Sequence, residues 1–437
     1  MAGPTEAGAV PRRVPATALD LAACAMSPMY HLVLGCRLTF VEHLDPSTLK
    51  RAVRALLDEE PVLGSWLDEG LLGGQWRRCH QLDACVPFAV VETDNPVRDG
   101  ATFHAEPFEA KGPRLAVRLM RSPEADELYL KVDHVPTDGR TTKELAYRLA
   151  GLYNRMLVDR SHSPSPDVTP RPTFKDLWAA LSPEQREASR RPPRRGTPRW
   201  VQRLEAGADR GFTVRTLLLG PDRLAALKDV GRATQGATVN DLLLTALMRS
   251  VARISPPGPG VPAQMYVTAD LRRPVERPEF ERPCGLSTPQ MVEVDSVRDS
   301  SFADDLRRVV AAVRPWKDCL WNPAILRITS VPHRAMRAVY SVGAAHFRRR
   351  GTLPPTLMNI GLLDEERLSF GGAVPVAGHV LGPVLAIPGF AATASTYRDV
   401  LTVWMGFYQE DTDPELIQQV LAGMDAELGS AVAGASA

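Results

Sequence analysis

The stretch Leu128-Tyr129-Leu130-Lys131-Val132-Asp133-His134-Val135-Pro136-Thr137-Asp138-Gly139 decides the fold. Its first seven residues read as a strand, in which side chains alternate between two faces. Leu128, Leu130, Val132 and His134 share one face; Tyr129, Lys131 and Asp133 share the other. The imidazole is therefore expected to point toward an apolar interior, with the Asp133 carboxylate aimed away from it. A lone buried histidine is more often a satisfied core residue than a functional one. Here it closes a strand and is followed by a short loop, a position from which a side chain can serve a buried cleft.

Working outward, Arg114–Met120 is a second strand that forms a hairpin with Glu127–His134. After Gly139, Thr141-Thr142-Lys143-Glu144 matches a capping box, and Leu145, Leu149, Leu152 and Met156 recur at helical spacing. Upstream, Val33–Phe40 is strand-like. Asp45-Pro46 opens a helix whose apolar stripe is Leu49, Val53, Leu56 and Leu57, ending before Pro61. A proline- and arginine-rich segment, 160–200, with a short helix near Phe174–Leu181, reads as a connection. Beyond it come a strand at Phe212–Leu219, a helix opened by Pro221-Asp222, and another capped by Thr238 with Asp241. The expected organisation is a flexible lead (1–17), a first half (18–159), the connection (160–200), a second half (201–430) and a tail (431–437).

Composition excludes several classes. The 437 residues are 44% hydrophobic and 24% charged, as in ordinary globular chains. Lys plus Arg is 52 against 51 acidic residues, so no global field favours nucleic acid or an anionic membrane. No apolar run approaches the roughly 18 residues of a membrane span, and a cytoplasmic protein is expected. Six cysteines without a C-x-x-C pair argue against a zinc cage or a disulfide framework. No G-x-S-x-G elbow, H-E-x-x-H or phosphate loop occurs.

The spacing His134-x-x-x-Asp138-Gly139 after a strand and before a helix resembles the active-site motif of the chloramphenicol-acetyltransferase-like superfamily, which includes condensation domains, polyketide-associated acyltransferases and plant acyltransferases. Further stretches agree in order: Pro107-Phe108 through Leu119, Gly236–Leu244, Val267–Pro274 and Met358-Asn359-Ile360-Gly361. The resemblance spans roughly residues 18–430. It implies an α+β fold of two α/β-sandwich halves in a V-shaped pseudo-dimer with a tunnel between them. It also implies transfer of an acyl group, without an acyl-enzyme, from an acyl-CoA or acyl-carrier-protein thioester to a hydroxyl or amine of a small, secondary-metabolite acceptor. No metal or redox cofactor is implied. A monomer is expected, with an acyl or peptidyl carrier protein as a possible partner.

By resemblance His134 is the general base, a role that can contribute about 10²–10⁴ in rate. Asp138 and Gly139 hold the loop, and the partner of Asp138 is expected from the second half, at Arg272 or Arg273. Asp133 and Asn359 are candidate substrate contacts, although Asn359 fits a turn before Gly361 equally well. Two departures from the condensation type stand out. Asp133 replaces the first of its two adjacent histidines, and Ser369-Phe370-Gly371-Gly372 is only a remnant of an Asp-Phe-Gly-Trp-Gly stretch. The first motivates an alternative, a catalytically silent or repurposed member acting as a binding partner or cyclisation catalyst; the second favours a free-standing enzyme. The Arg-rich run at 190–199 (Arg190, Arg191, Arg194, Arg195) reads as a solvated linker, or as a contact for coenzyme A phosphates or an acidic carrier.

Overall fold

A computed structural model describes residues 9–435, apart from 71–72, 191–210, 274, 276, 296, 298–299, 319–330 and 351–353. The first half runs β1 (Arg13–Pro15), α1 (Ala18–Ala25), β2 (Tyr30–His31), β3 (Val33–Phe40), α2 (Pro46–Glu59), β4 (Ser65–Glu69), β5 (Gly74–Arg78) and β6 (Phe88–Glu92). It continues with α3 (Pro96–Ala105), β7 (Leu115–Arg121), β8 (Asp126–Asp133) and α4 (Gly139–Val158). In the connection lie α5 (Phe174–Ala180) and α6 (Pro183–Arg190). The second half begins with β9 (Phe212–Leu219), α7 (Pro221–Ala233), α8 (Val239–Ile254), β10 (Ala263–Asp270), β11 (Ser287–Val294), α9 (Phe302–Asp318) and α10 (His333–Arg350). It ends with β12 (Thr356–Leu362), β13 (Ala377–Leu381), β14 (Val384–Leu385), β15 (Ala391–Tyr397), β16 (Val400–Tyr408) and α11 (Pro414–Ala435).

Two mixed sheets organise these elements. The first has the order β13-β3-β8-β7-β6, the second β11-β10-β12-β15-β16-β9. Leu128, Leu130 and Val132 of β8 pack against the apolar stripes of α2 (Leu49, Val53, Leu56) and α4 (Leu145, Leu149, Leu152). Burial of these stripes is what holds both helices on the sheet. The second sheet is covered in the same way by α8 and α11, through Leu243, Leu247, Leu421 and Met424. The opposite face of β8 is covered too. Lys131 there donates to the Phe103 and Glu106 carbonyls at 2.8 and 3.0 Å.

Several boundaries differ from the sequence reading. The lead is ordered from β1, whose Arg13–Pro15 pairs with β5, because that pairing covers the free edge of the β4–β5 hairpin. Residues 431–435 of the expected tail are helical, since α11 runs to Ala435. Helix α4 starts two residues before the Thr141–Glu144 box, with Asp138 as its N-cap accepting from the Thr141 N–H. The division between halves is crossed as well. Strand β13, from the second half of the chain, pairs antiparallel with β3 and forms the edge strand of the first sheet. Just before it, Phe370 packs its ring 5.5 Å from those of Phe40 and Tyr153, and Asn154 bonds both Ser369 O and Gly371 N. The remnant stretch thus docks on the first half.

The connection is anchored by Arg171, which is buried. It pairs with Asp20 at 2.6 and 2.9 Å and donates to the carbonyls of Pro136 and Pro283. Trp76 Nε1–H completes the cluster, 2.9 Å from Asp20 Oδ2. Removing one member of a buried pair strands the other charge, at a cost of about 3–5 kcal/mol. Arg171→Met should therefore lower the unfolding free energy in urea by that amount; a change below about 1 kcal/mol would contradict this account of the connection.

Candidate active site

His134 follows directly on β8, and its backbone N–H still donates to Leu32 O at 2.9 Å, as though the strand continued. The chain then turns sharply. Asp133 Oδ1 accepts from the Val135 N–H at 2.8 Å, and the Thr137 hydroxyl donates to Asp133 O at 2.6 Å. Arg171 takes the Pro136 carbonyl. Within this clamped loop His134 Nδ1 lies 2.7 Å from Thr137 O. A carbonyl only accepts, so Nδ1 carries the proton, and in the neutral ring the lone pair sits on Nε2.

Asp138 uses both carboxylate oxygens. Oδ1 accepts from the Thr141 N–H and hydroxyl, both at 3.0 Å, which caps α4. Oδ2 accepts from Arg272 Nη1 and from the Leu286 N–H, both at 2.8 Å. Asp138 is 1% exposed and Arg272 2%. Burial alone would raise the Asp138 carboxyl, but the Arg272 charge and these hydrogen bonds outweigh it and hold the group below its ordinary value. Arg272 is itself fixed by Asp270 Oδ1 at 2.9 Å and by the Phe280 and Cys284 carbonyls. Gly139 packs against β12: a Cβ there would fall 2.4 Å from Ile360 Cδ1, the tip of a side chain that would have to shift to admit it.

A cavity of about 350 Å³ opens between the two sheets. The first half contributes His134 and the opening turns of α4; the second contributes β10, β12 and β15, through Thr268, Met358 and Thr393. Its rim is ionic. Arg140 pairs with Glu281 and, at 3.3 Å, with Asp270; Arg367 grips Glu144 at 2.7 and 3.0 Å. Lys143 donates to the Ile360 and Leu362 carbonyls, and burial holds its ammonium below the ordinary lysine value. Among the described residues, no group of three or more His, Cys, Asp or Glu is placed to hold a metal ion, and no helix is long and apolar enough to cross a membrane.

The structure thus brings His134, Asp138, Gly139, Arg272 and Asn359 to one place and leaves two expected residues out. Arg273 is exposed on the turn after β10. Asp133 is not a cavity residue: it is buried beside Arg114, with Nη1 3.3 Å from Oδ2, and it ties down the Val135 N–H. Burial raises its carboxyl despite Arg114. Asn359 lines the cavity, yet its Oδ1 accepts from the Gly361 N–H at 3.0 Å, where Gly361 takes φ +79 at a bulge in β12. Residues 191–199 of the Arg-rich run, and Cys319, lie outside the described residues. Arg171, Arg114 and Thr393 were not singled out from the sequence, because each is defined by partners or surroundings far away in the chain.

No family model matches the chain, and no curated protein matches its sequence. Solved structures do. The first condensation domain of the calcium-dependent antibiotic synthetase superposes with a TM-score of 0.65 at 16% identity, over 96% of each chain. The trichothecene 15-O-acetyltransferase of Fusarium sporotrichioides gives 0.70 at 11% identity, over 96% of this chain and 95% of that one. The epimerization domain of the third module of tyrocidine synthetase B gives 0.61 at 14%, over 98% of both. The chain has the two-half fold that these proteins share.

A carboxyl held below its unfolded value stabilises fully above the unfolded pKa, near 3.9, and that stabilisation is lost as pH falls through the lowered folded value. At pH 7, Asp138→Asn should be less stable than wild type by about 3–5 kcal/mol. The gap, followed by urea unfolding, should narrow below about pH 4. A gap that widened on acidification would contradict the assigned pairing.

Proposed function

We propose that the protein is an acyltransferase that moves an acyl group from a coenzyme A or carrier-protein thioester to a hydroxyl or amine of a small acceptor, with His134 as general base. The observation that carries this reading is the fixed tautomer: Nδ1–H is committed to Thr137 O, so Nε2 offers its lone pair in a cavity between the halves. The proton of the acceptor passes to Nε2 as its oxygen or nitrogen attacks the thioester carbonyl. The C–S bond then breaks, and the imidazolium returns the proton to the departing sulfur. No acyl-enzyme is needed, and neither a metal nor a redox cofactor enters the reaction.

The likeness to a condensation domain and to an acetyltransferase supports acyl transfer as the class, and a role in natural-product or antibiotic biosynthesis follows from it. The fold also carries an epimerization domain, so the reaction rests on the site and not on the architecture. Asp133 gives no ground for a silent protein, because its carboxylate serves the loop and leaves the cavity to His134.

The test is thiol release from acetyl-CoA, longer acyl-CoAs and their N-acetylcysteamine thioesters against a panel of alcohols and amines, with products read by mass spectrometry. Release that depends on acceptor supports transfer. His134→Ala should fold normally and lose about 10²-fold or more in kcat. Near-normal turnover in the folded variant would refute the assignment. Asp133→Asn should stay within about threefold of wild type, since an amide oxygen can still accept from the Val135 N–H; a loss as deep as that of His134→Ala would mean that Asp133 takes part in the chemistry.

A further inference from the structure

Among the described residues four cations line the cavity, and three of them are paired with carboxylates. Arg140 meets Glu281 and Asp270, Arg272 meets Asp138, and Arg367 meets Glu144. Lys143 differs. No carboxylate among the described residues pairs with it, and its ammonium donates only to the Ile360 and Leu362 carbonyls, at 2.9 and 3.0 Å. An ammonium has three N–H donors, so one is left over. Burial disfavours this charge, and a charge sheltered from water is stabilised by an opposite one beside it.

The strand that holds Lys143 also aims a second donor. Asn359 opens the bulge of β12, and its side chain meets the Gly361 N–H at 3.0 Å. A backbone N–H only donates, so the atom it meets is Oδ1, and the Asn359 amide nitrogen is turned away from that N–H. This nitrogen has no hydrogen-bond partner among the described residues. Residues 359–362 thus orient both groups, the amide through the Gly361 N–H and the ammonium through the two carbonyls. Lys143 and Asn359 are half-buried and line the cavity that His134 lines, so neither is sealed from it. Of the carboxylates that line the same cavity, Asp138, Glu144 and Asp270 are taken by arginines, and Asp364 is exposed to water, with Oδ1 accepting from the Glu366 N–H.

Resting on the acyl-transfer reading, we propose that Lys143 and Asn359 form a carboxylate-binding subsite of the cavity, which selects a substrate that bears a carboxylate besides its reacting group. That carboxylate belongs to the acceptor, as in a hydroxy or amino acid, or to the acyl group, as in the thioester of a dicarboxylic acid. The chemistry is the same for both: the ammonium and the amide N–H each donate to a carboxylate oxygen, and the pairing is charge-assisted. The methyl ester of the same ligand carries no charge and leaves the ammonium without its counter-ion, so the subsite discriminates against it.

The experiment measures two matched pairs of probes by calorimetry, each without its co-substrate so that nothing is transferred. In the acceptor arm 3-hydroxyhexanoate is compared with its methyl ester; in the acyl arm S-adipoyl-N-acetylcysteamine is compared with its methyl ester. Wild type should bind the free carboxylate about tenfold more tightly than the ester in at least one arm, and that arm identifies the substrate that carries the group. Lys143→Met should abolish the preference. Because that change also strips two carbonyls of their donor, Asn359→Asp is the second variant. Its Oδ1 still accepts from the Gly361 N–H, so Tm should hold, while its other oxygen puts a negative charge where the ligand's would sit and the preference should again be lost. Equal binding of acid and ester in both arms of wild type, binding of no probe, or a preference that persists in folded Lys143→Met or in Asn359→Asp would each overturn the proposal; the last is the outcome for residues that merely pin the bulge. The readout needs no turnover. Normal turnover in His134→Ala would therefore defeat the base assignment and leave these affinities unchanged, and the converse also holds.

Discussion

The Asp138 carboxylate is where helix initiation, the seam between the halves and the reactive loop meet. One oxygen caps α4; the other joins Arg272 and the Leu286 N–H of the second half. A carboxylate so buried would cost several kcal/mol if left alone, and its four hydrogen bonds and adjacent guanidinium offset that cost. Because Asp138 lies four residues beyond His134, fixing its position fixes the far end of the loop that carries the imidazole. Arg272 is equally constrained by Asp270 and by the carbonyls at 280 and 284. The pair therefore transmits the geometry of the second sheet to a residue at the end of the first.

The same helix carries the rest of the seam. Arg140, Lys143, Glu144, Tyr147 and Asn154 lie along one face of α4 at helical spacing. Each reaches an atom of the second half of the chain: Glu281, the Ile360 carbonyl, Arg367, the Asp364 N–H and the Ser369 carbonyl respectively. Strand β13 adds a sheet edge to the same join. The cavity is bounded by elements pinned to one another, which suits a site that must hold two reacting groups in register.

What could be read from the sequence was local. The strand leading to His134 follows from its period of two. The start of α8 is legible because Thr238 and Asp241 satisfy each other within one turn. The start of α4 was not, since Thr141 with Glu144 and Asp138 alone are both plausible caps. Distant residues decide between them: Arg367 takes the Glu144 carboxylate, and Arg272 favours Asp138 at the helix end. Choosing Arg272 over its neighbour Arg273 needed the same information. Arg171 sits in the segment that reads only as a connection, while its partner Asp20 is 151 residues away. The crossing of β13 has no local signature either, because its partner β3 lies at the other end of the chain.

Function in this account reduces to the state of one ring. The loop from Asp133 to Asp138 is held by Arg114, Arg171 and Arg272, so that His134 faces the cavity with Nδ1–H bound to Thr137 O. Nitrogen NMR on histidine-labelled protein, with the His134 signals assigned by their loss in His134→Gln, reads that state directly. For the neutral ring, the account predicts a protonated Nδ1 and an unprotonated, pyridine-type Nε2. A proton on Nε2, with the lone pair on Nδ1, would contradict it.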